Sequence, residues 1–187
     1  MIGSVRKILS PMLYEFGDRL DDEAYRTLLC EVEAIVNSRP LTTVSSDVTD
    51  LNPLTPNHLL MMKSNVFIAP HGKFQHDDIY MRRRWRRIQY LSNVFWSRWK
   101  KEYLYSLQER QKWSTPKRNI ELDDIVLIKD ENAHRSCWPM ERVIKVEPDN
   151  QGFVRSVILK TQSTELRRPV HKLVLLLPDT SERYADE

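Results

Sequence analysis

Residues 82–103 read RRRWRRIQYLSNVFWSRWKKEY, and the rest of the chain is organised around this stretch. Its apolar residues recur at steps of three or four, which predicts one long helix from about Asp77 to Lys112. At ~1.5 Å per residue this helix would extend about 50 Å. Its buried stripe is predicted to consist of Met81, Trp85, Ile88, Leu91, Phe95, Trp99 and Tyr103. Trp96 and Trp113 fall off the stripe and are predicted to be more accessible.

The positive charge of the chain is concentrated around the same helix. Residues 82–118 carry 12 basic and 2 acidic side chains, whereas residues 1–50 carry 5 and 9 and residues 119–187 carry 10 and 13. Such a segment attracts polyanions although the net charge of the whole chain is only +3. The predicted nucleic-acid-binding residues are its basic side chains: Arg82, Arg83, Arg84, Arg86, Arg87, Arg98, Lys100, Lys101, Arg110, Lys112, Lys117 and Arg118. The alternative interpretation of these charges is a solvated helix face without a ligand.

The composition excludes several classes of protein. A chain of 187 residues and 22.3 kDa is sufficient for one ordinary domain or two small ones. The mean hydropathy is −0.54, and the longest apolar run, residues 173–177, is far shorter than the ~20 residues of a membrane span. Two cysteines, Cys30 and Cys137, exclude a disulfide scaffold and a four-thiolate zinc site. We expect an intracellular protein, nuclear or cytoplasmic, that is not secreted and has no membrane partner.

Three further helices are predicted before the long one. The first begins within the first residues and is expected to end or kink at Pro11, because proline cannot donate the helical hydrogen bond. The second is expected to start at Asp21 or Asp22, where acids suit the positive end of the helix dipole, and to stop by Arg39. A short third helix should follow Thr55, which is a suitable N-cap.

Strands are predicted after the long helix. From Asn119 onward the period of the apolar residues changes from 3.6 to 2, which indicates five short strands. Two of them are expected to form a hairpin through the turn at residues 148–152. The pattern as a whole predicts an α+β chain that ends in a small antiparallel β-barrel.

Six blocks of the sequence carry a family resemblance. They are LCEVEAIVNSRPL (29–41), LTPNHLL (54–60), WRR with FWSRW (85–87 and 95–99), EYL with LQERQKW (102–104 and 107–113), DIVLI with CWP (124–128 and 137–139), and RPVHKL (168–173). In this order they resemble the end of the integrase region in polyproteins of BEL/Pao-type retrotransposons. The resemblance extends from Met1 to about residue 176.

The resemblance implies a domain organisation. Residues 1–62 would be the C-terminal helices of a truncated, ribonuclease-H-like integrase core, and residues 63–118 would be a linker followed by the long basic helix. Residues 119–177 would form an SH3-like β-barrel, and residues 178–187 a loose tail. In the barrel, Glu141 stands where the family usually has glycine.

The resemblance also implies that this chain is not an enzyme by itself. The two aspartates and one glutamate that bind metal in the family lie upstream of the position that corresponds to Met1. We therefore expect no catalytic residue, no metal ligand and no cofactor in this chain. Its own acids agree with this expectation, since Glu31 and Glu33 point in different directions on a helix and Asp21 to Glu23 suit a helix start.

The resulting hypothesis is a non-catalytic polyprotein fragment of a transposable element. It would bind DNA, with little sequence preference, through the basic helix and the small barrel, and it would take part in DNA integration. One alternative is a protein-interaction or assembly module without DNA binding, whose partners are further copies of the chain or other integrase subunits. The other alternative is a piece of an active integrase whose catalytic acids lie upstream of Met1.

Overall fold

Helices occupy the first part of the chain and strands the last part. The computed structural model describes residues 2–43, 53–61, 69–81, 83–108, 118–161 and 164–177. The helices are α1 (Ile2–Phe16), α2 (Asp22–Asn37), α3 (Pro56–Met61) and α4 (Arg84–Leu107), and the strands are β1 (Thr42–Thr43), β2 (Pro53–Leu54), β3 (Ile125–Ile128), β4 (Met140–Pro148), β5 (Val154–Lys160), β6 (Glu165–Pro169) and β7 (Leu173–Leu177). The predicted α+β class is confirmed.

The chain divides into two units, each assembled from separate parts of the sequence. The first consists of Met1–Arg39, Thr55–Tyr103 and His134–Cys137, and the second of Pro40–Leu54, Leu104–Ala133 and Trp138–Glu187. The division predicted from the resemblance, with boundaries after residues 62, 118 and 177, rests on sequence likeness and stays a prediction.

The first two helices show how local sequence sets helix ends. Helix α1 continues through Pro11, so it does not end there. Pro11 is exposed, and the carbonyl of Lys7 that loses its helical donor there can be hydrated. Helix α2 begins as predicted, because the side chain of Asp21 accepts a hydrogen bond from the Ala24 N–H at 2.8 Å.

Helix α4 begins at Arg84 rather than at Asp77, and the predicted start is wrong. Residues His76–Ile79 form a separate 3₁₀ turn before it. Asp78 stabilises this turn, since its carboxylate accepts the N–H of Gln75 at 2.8 Å in a capping box. The predicted helical residues from Glu109 to Lys112, and Trp113, lie outside the described residues.

The buried stripe of α4 starts at Ile88, about two turns after the predicted first residue, Met81. Ile88, Leu91, Phe95, Trp99 and Tyr103 are all buried, as expected. Trp99 stacks on Phe95 and on Tyr103, with ring centroids 6.2 Å and 6.1 Å apart.

The exposure of three aromatic or apolar side chains in this region was predicted wrongly. Met81 and Trp85, which precede and begin the helix, are each 51% exposed. Trp85 contacts the Phe74 ring in a T-shaped arrangement, with ring centroids 5.3 Å apart. Trp96 is only 5% exposed, and the Lys100 ammonium lies 5.6 Å from its ring centroid. The buried face of α4 is therefore wider than a single stripe.

A buried arginine packs against α2 and α4 in the first unit. Arg135 has a side chain that is 2% exposed and lies 3.4 Å from Glu31 on α2. It also donates to the Gln89 side chain and, at 3.3 Å, to Asn93 on α4. Burial lowers the pKa of Arg135 and the charge of Glu31 raises it. Residues 134–137, which lie between β3 and β4 in the sequence, are held to the helices by this network.

The five longer strands form an open antiparallel sheet in the order β6-β5-β4-β3-β7. Closure into the predicted barrel would require β6 and β7 to pair. Instead, the 3₁₀ turn Val170–Lys172 follows β6 directly, and β7 pairs with β3. The hairpin of β4 and β5 is confirmed, and its turn is held by Asp149, whose carboxylate accepts the N–H groups of Gln151 and Phe153.

One face of the sheet forms the core of the second unit. The core consists of Val126, Val143, Val157, Leu159 and Leu173. Glu141 pairs with Val126 across β3 and β4, so its side chain lies on the same face as that valine. The non-glycine residues with positive φ in the described part are Asp123 and Ser136, so Glu141 needs no glycine-like backbone. Burial raises the pKa of Glu141.

We predict that Glu141→Gln stabilises the protein at neutral pH. Burial raises the pKa of Glu141 in the folded state. The protonated carboxyl therefore does not destabilise the fold, whereas the ionised carboxylate does. The difference in unfolding free energy between variant and parent should therefore increase as the pH rises through the unfolded value of about 4.5. Urea unfolding at pH 3.5 and pH 7 measures it. A difference that is the same at both pH values, or one shown equally by the exposed Glu165→Gln control, would contradict the prediction.

Candidate nucleic-acid interface

Two arginines at the start of α4 form ion pairs with acids of the same chain. Arg84 lies 2.7 Å from Asp21 and also contacts Glu23, at the beginning of α2. Arg86 lies 2.6 Å from Asp78, whose side chain is 5% exposed. Hydrogen bonding by Arg86 is the main cause that lowers the pKa of Asp78. Both arginines are therefore already neutralised and connect α4 to neighbouring segments of the first unit.

Three more of the predicted binding residues are engaged within the protein. Arg87 donates to the carbonyl oxygens of Ile79 and Met81, each at 2.9 Å, and to that of Arg19. Lys100 is 8% exposed, with its ammonium over Trp96.

Arg118 is the third of these, and it lies in the second unit. It is 2.7 Å from Glu121 and 3.0 Å from the fully buried Asp124. Hydrogen bonding by Glu121 is the main cause that raises the pKa of Arg118.

Three of the predicted residues are exposed cations. Arg83, Arg98 and Lys101 are exposed and form no ion pair within the described part of the chain. Arg98 and Lys101 are three residues apart and share one face of α4. The remaining predicted residues, Arg82, Arg110, Lys112 and Lys117, lie outside the described residues. Most of the predicted binding residues in the described part of the basic segment thus make structural contacts within the protein.

A second group of cations lies on the face of the sheet opposite the core. On β5, Val157 and Leu159 point to the core, so Ile158 and Lys160 point to the other face. Lys145 on β4 and Arg167 on β6 both pair with Ile158 and share its face. We call Lys145, Lys160 and Arg167 the outer-face cations; all three are exposed.

The outer-face cations are close enough together to contact one phosphate backbone. Strands ~4.8 Å apart and a rise of ~3.3 Å per residue place their Cα atoms about 8–10 Å from one another. Lys145 and Lys160 form no ion pair in the described part of the chain, whereas Arg167 lies 2.7 Å from Glu147 on the same face. Arg142, which pairs with Lys160 in the register, is mostly buried and lies 3.6 Å from Asp123.

The outer-face cations were not predicted from the sequence. Lys145 and Lys160 each occur singly beside apolar residues, and Arg167 has one basic neighbour, Arg168, so no long run of charge marks them. The alternation of Val157, Ile158, Leu159 and Lys160 does assign Lys160 to one face. The register of β4, β5 and β6, which brings Lys145 and Arg167 close to Lys160, could not be predicted from the sequence.

The described residues offer few other sites. No group of three or more His, Cys, Asp or Glu side chains among them is arranged to hold a metal ion. The same part of the chain has no helix long and apolar enough to cross a membrane. Cys30 and Cys137 are exposed and are not joined in a disulfide.

Comparison with known proteins places the chain in a family. Residues 83–176 match the model of a family of unknown function (DUF5641), and the chain belongs to this family. The match begins just before α4 and ends within β7, so it includes both groups of exposed cations. No curated protein and no solved structure matches the chain.

We predict that the arginines at the start of α4 support the fold. The double variant Arg86→Gln/Arg87→Gln should lower Tm by several degrees, because Asp78 loses its counter-ion and four carbonyl oxygens lose their donor, those of Arg19, Lys73, Ile79 and Met81. Arg98→Gln/Lys101→Gln removes the same charge from an exposed face and should keep Tm within about 2 °C. Thermal unfolding followed by circular dichroism compares the two. Equal Tm values for both variants would show that Arg86 and Arg87 are not structural.

Proposed function

We propose that this member of the DUF5641 family binds the phosphate backbone of DNA with little sequence preference. The observation that carries the proposal is the set of outer-face cations, which lie on three adjacent strands. Lys145 and Lys160 form no ion pair in the described part of the chain. Cations of this kind gain affinity for DNA by releasing its condensed counterions, and such contacts fix position without reading the bases.

The exposed cations of α4 support the same function. Arg98 and Lys101 lie on one helix face, and Arg83 precedes the helix. The charge pattern of the sequence predicted DNA binding by the whole basic segment. The proposal now rests on fewer residues of that segment, because Arg84, Arg86 and Arg118 pair with carboxylates of the chain itself.

The proposed setting is DNA integration by a BEL/Pao-type retrotransposon. It is supported by the six sequence blocks, which also suggest an SH3-like fold for residues 119–177 and the end of a ribonuclease-H-like core for residues 1–62. In this proposal the chain is non-catalytic, because none of its residues corresponds to the metal-binding acids of the family that it resembles. It would act in the nucleus or the cytoplasm.

An assembly function is the second candidate, and one observation favours it. Leu59, Leu60 and Met61 are consecutive residues at the end of α3, and they are 60%, 70% and 62% exposed. Adjacent exposed apolar side chains are typical of surfaces that contact another protein. The partners would be further copies of the chain or other integrase subunits.

We predict that Lys145→Gln/Lys160→Gln weakens binding of a 20-base-pair duplex and reduces its salt dependence. Loss of two phosphate contacts should lower the slope of log K against log salt by about 1.8, and affinity at 0.1 M salt by up to about 60-fold. Fluorescence anisotropy between 50 and 200 mM salt measures both quantities.

The matched control is Arg6→Gln/Arg26→Gln. It removes the same charge from exposed positions on α1 and α2. If this control loses as much affinity as the outer-face variant, binding depends on net charge and the assigned face is wrong. If the parent protein does not bind the duplex at 50 mM salt, the DNA-binding function is wrong and the assembly function is favoured.

A further inference from the structure

The carboxylate of Glu147 is surrounded by donors on the outer face of the sheet. The Ser156 hydroxyl donates to its Oε2 atom at 2.7 Å, and Nη2 of Arg167 lies 2.7 Å from the same oxygen. The residues share this face because Glu147 pairs with Ser156 in the register, next to the row of Lys145, Ile158 and Arg167. The hydrogen bond from Ser156 is the main cause that lowers the pKa of Glu147, and the charges of Arg167 and Lys145 act in the same direction.

The Ser156 hydroxyl and the Arg167 guanidinium are donors that proteins commonly use for the phosphate oxygens of nucleic acid. Here both contact one carboxylate oxygen of the chain itself. The Arg167 side chain is 70% exposed and that of Glu147 30% exposed, so a ligand from solvent can reach both.

The pair of Glu147 and Arg167 differs from the ion pairs at the start of α4. The carboxylate of Asp78 also accepts a backbone N–H and completes a turn. The described partners of the Glu147 carboxylate are side chains. Exposed ion pairs contribute little net stability because water and salt screen them. A polyanion can therefore displace Glu147 without disturbing the backbone.

We propose that Glu147 occupies, in the free protein, a position that a DNA phosphate takes when DNA binds the outer face. Glu147 is then a built-in competitor that holds Arg167 until a polyanion of sufficient charge displaces it. The inference rests on the proposed function and adds to it that this face binds less tightly than its cations alone would allow. Its effect is to favour long, dense polyanions over isolated phosphates.

The test compares Glu147→Gln with Glu165→Gln. Glu165 is exposed, lies on the same face of the sheet, and pairs with Lys160 in the register, so both variants change the same face by one charge. In Glu147→Gln the amide oxygen of the new side chain can still accept from Ser156, so the strand pairing should persist. Under the proposal Arg167 contacts a phosphate in both complexes, but in the variant it does not first have to leave a carboxylate. Glu147→Gln should therefore raise affinity for the duplex by up to about eightfold at 0.1 M salt and leave the salt slope unchanged. Glu165→Gln should raise the affinity much less.

A double-mutant comparison gives a second readout. If Glu147 masks Arg167, then Arg167→Gln should lower the affinity little in the parent protein and about eightfold in the Glu147→Gln background. Should Glu147→Gln fail to fold, Glu147→Thr, which suits a strand, carries the same expectations.

The outcomes separate this inference from the function on which it rests. Equal gains for Glu147→Gln and Glu165→Gln, in a parent that binds DNA, would overturn the competitor role and leave DNA binding intact. A parent and variants that all fail to bind at 50 mM salt would overturn both. A larger gain for Glu147→Gln alone would support the proposal.

Discussion

The ion pairs at the start of α4 determine how much of the chain's positive charge is left for a ligand. Arg84 and Arg86 face carboxylates that are fixed in place by helix and turn ends, Asp21 at the start of α2 and Asp78 in a capping box. A carboxylate that already serves as a cap is held rigidly, so its arginine partner is held as well. In the segment with the highest charge in the sequence, these arginines consequently connect structural elements to one another.

The sheet has fewer exposed cations, but strand geometry places them together on one surface. Strand geometry sends alternate side chains to opposite faces, and therefore a lysine beside a buried valine or leucine is directed away from the core. On three adjacent strands this rule collects Lys145, Lys160 and Arg167 on one surface. Glu147 lies on the same surface, and its contact with Arg167 partly offsets the charge of that cation within the chain.

Local sequence predicted those features that depend on neighbouring residues. The start of α2, the hairpin turn at residues 148–152 and the buried positions from Ile88 to Tyr103 were all predicted correctly, because the preference for acids at a helix start, turn chemistry and helical period act over a few residues. The sites of Trp85 and Trp96 were predicted wrongly, since their exposure depends on which segments pack beside the helix. The open sheet likewise depends on how β7 pairs with β3.

By itself the sequence determined the α+β class, the presence of a long helix with its buried positions from Ile88 to Tyr103, and the concentration of charge around it. Only the tertiary structure decided which of those charges are available. Arg84 and Glu23 are 61 residues apart, and Arg135 reaches Gln89 across 46, so no period or motif could pair them. The same is true of the three outer-face cations, which the register of β4, β5 and β6 brings together. The physical reason is that charges interact over distance in space, whereas a sequence pattern records only separation along the chain.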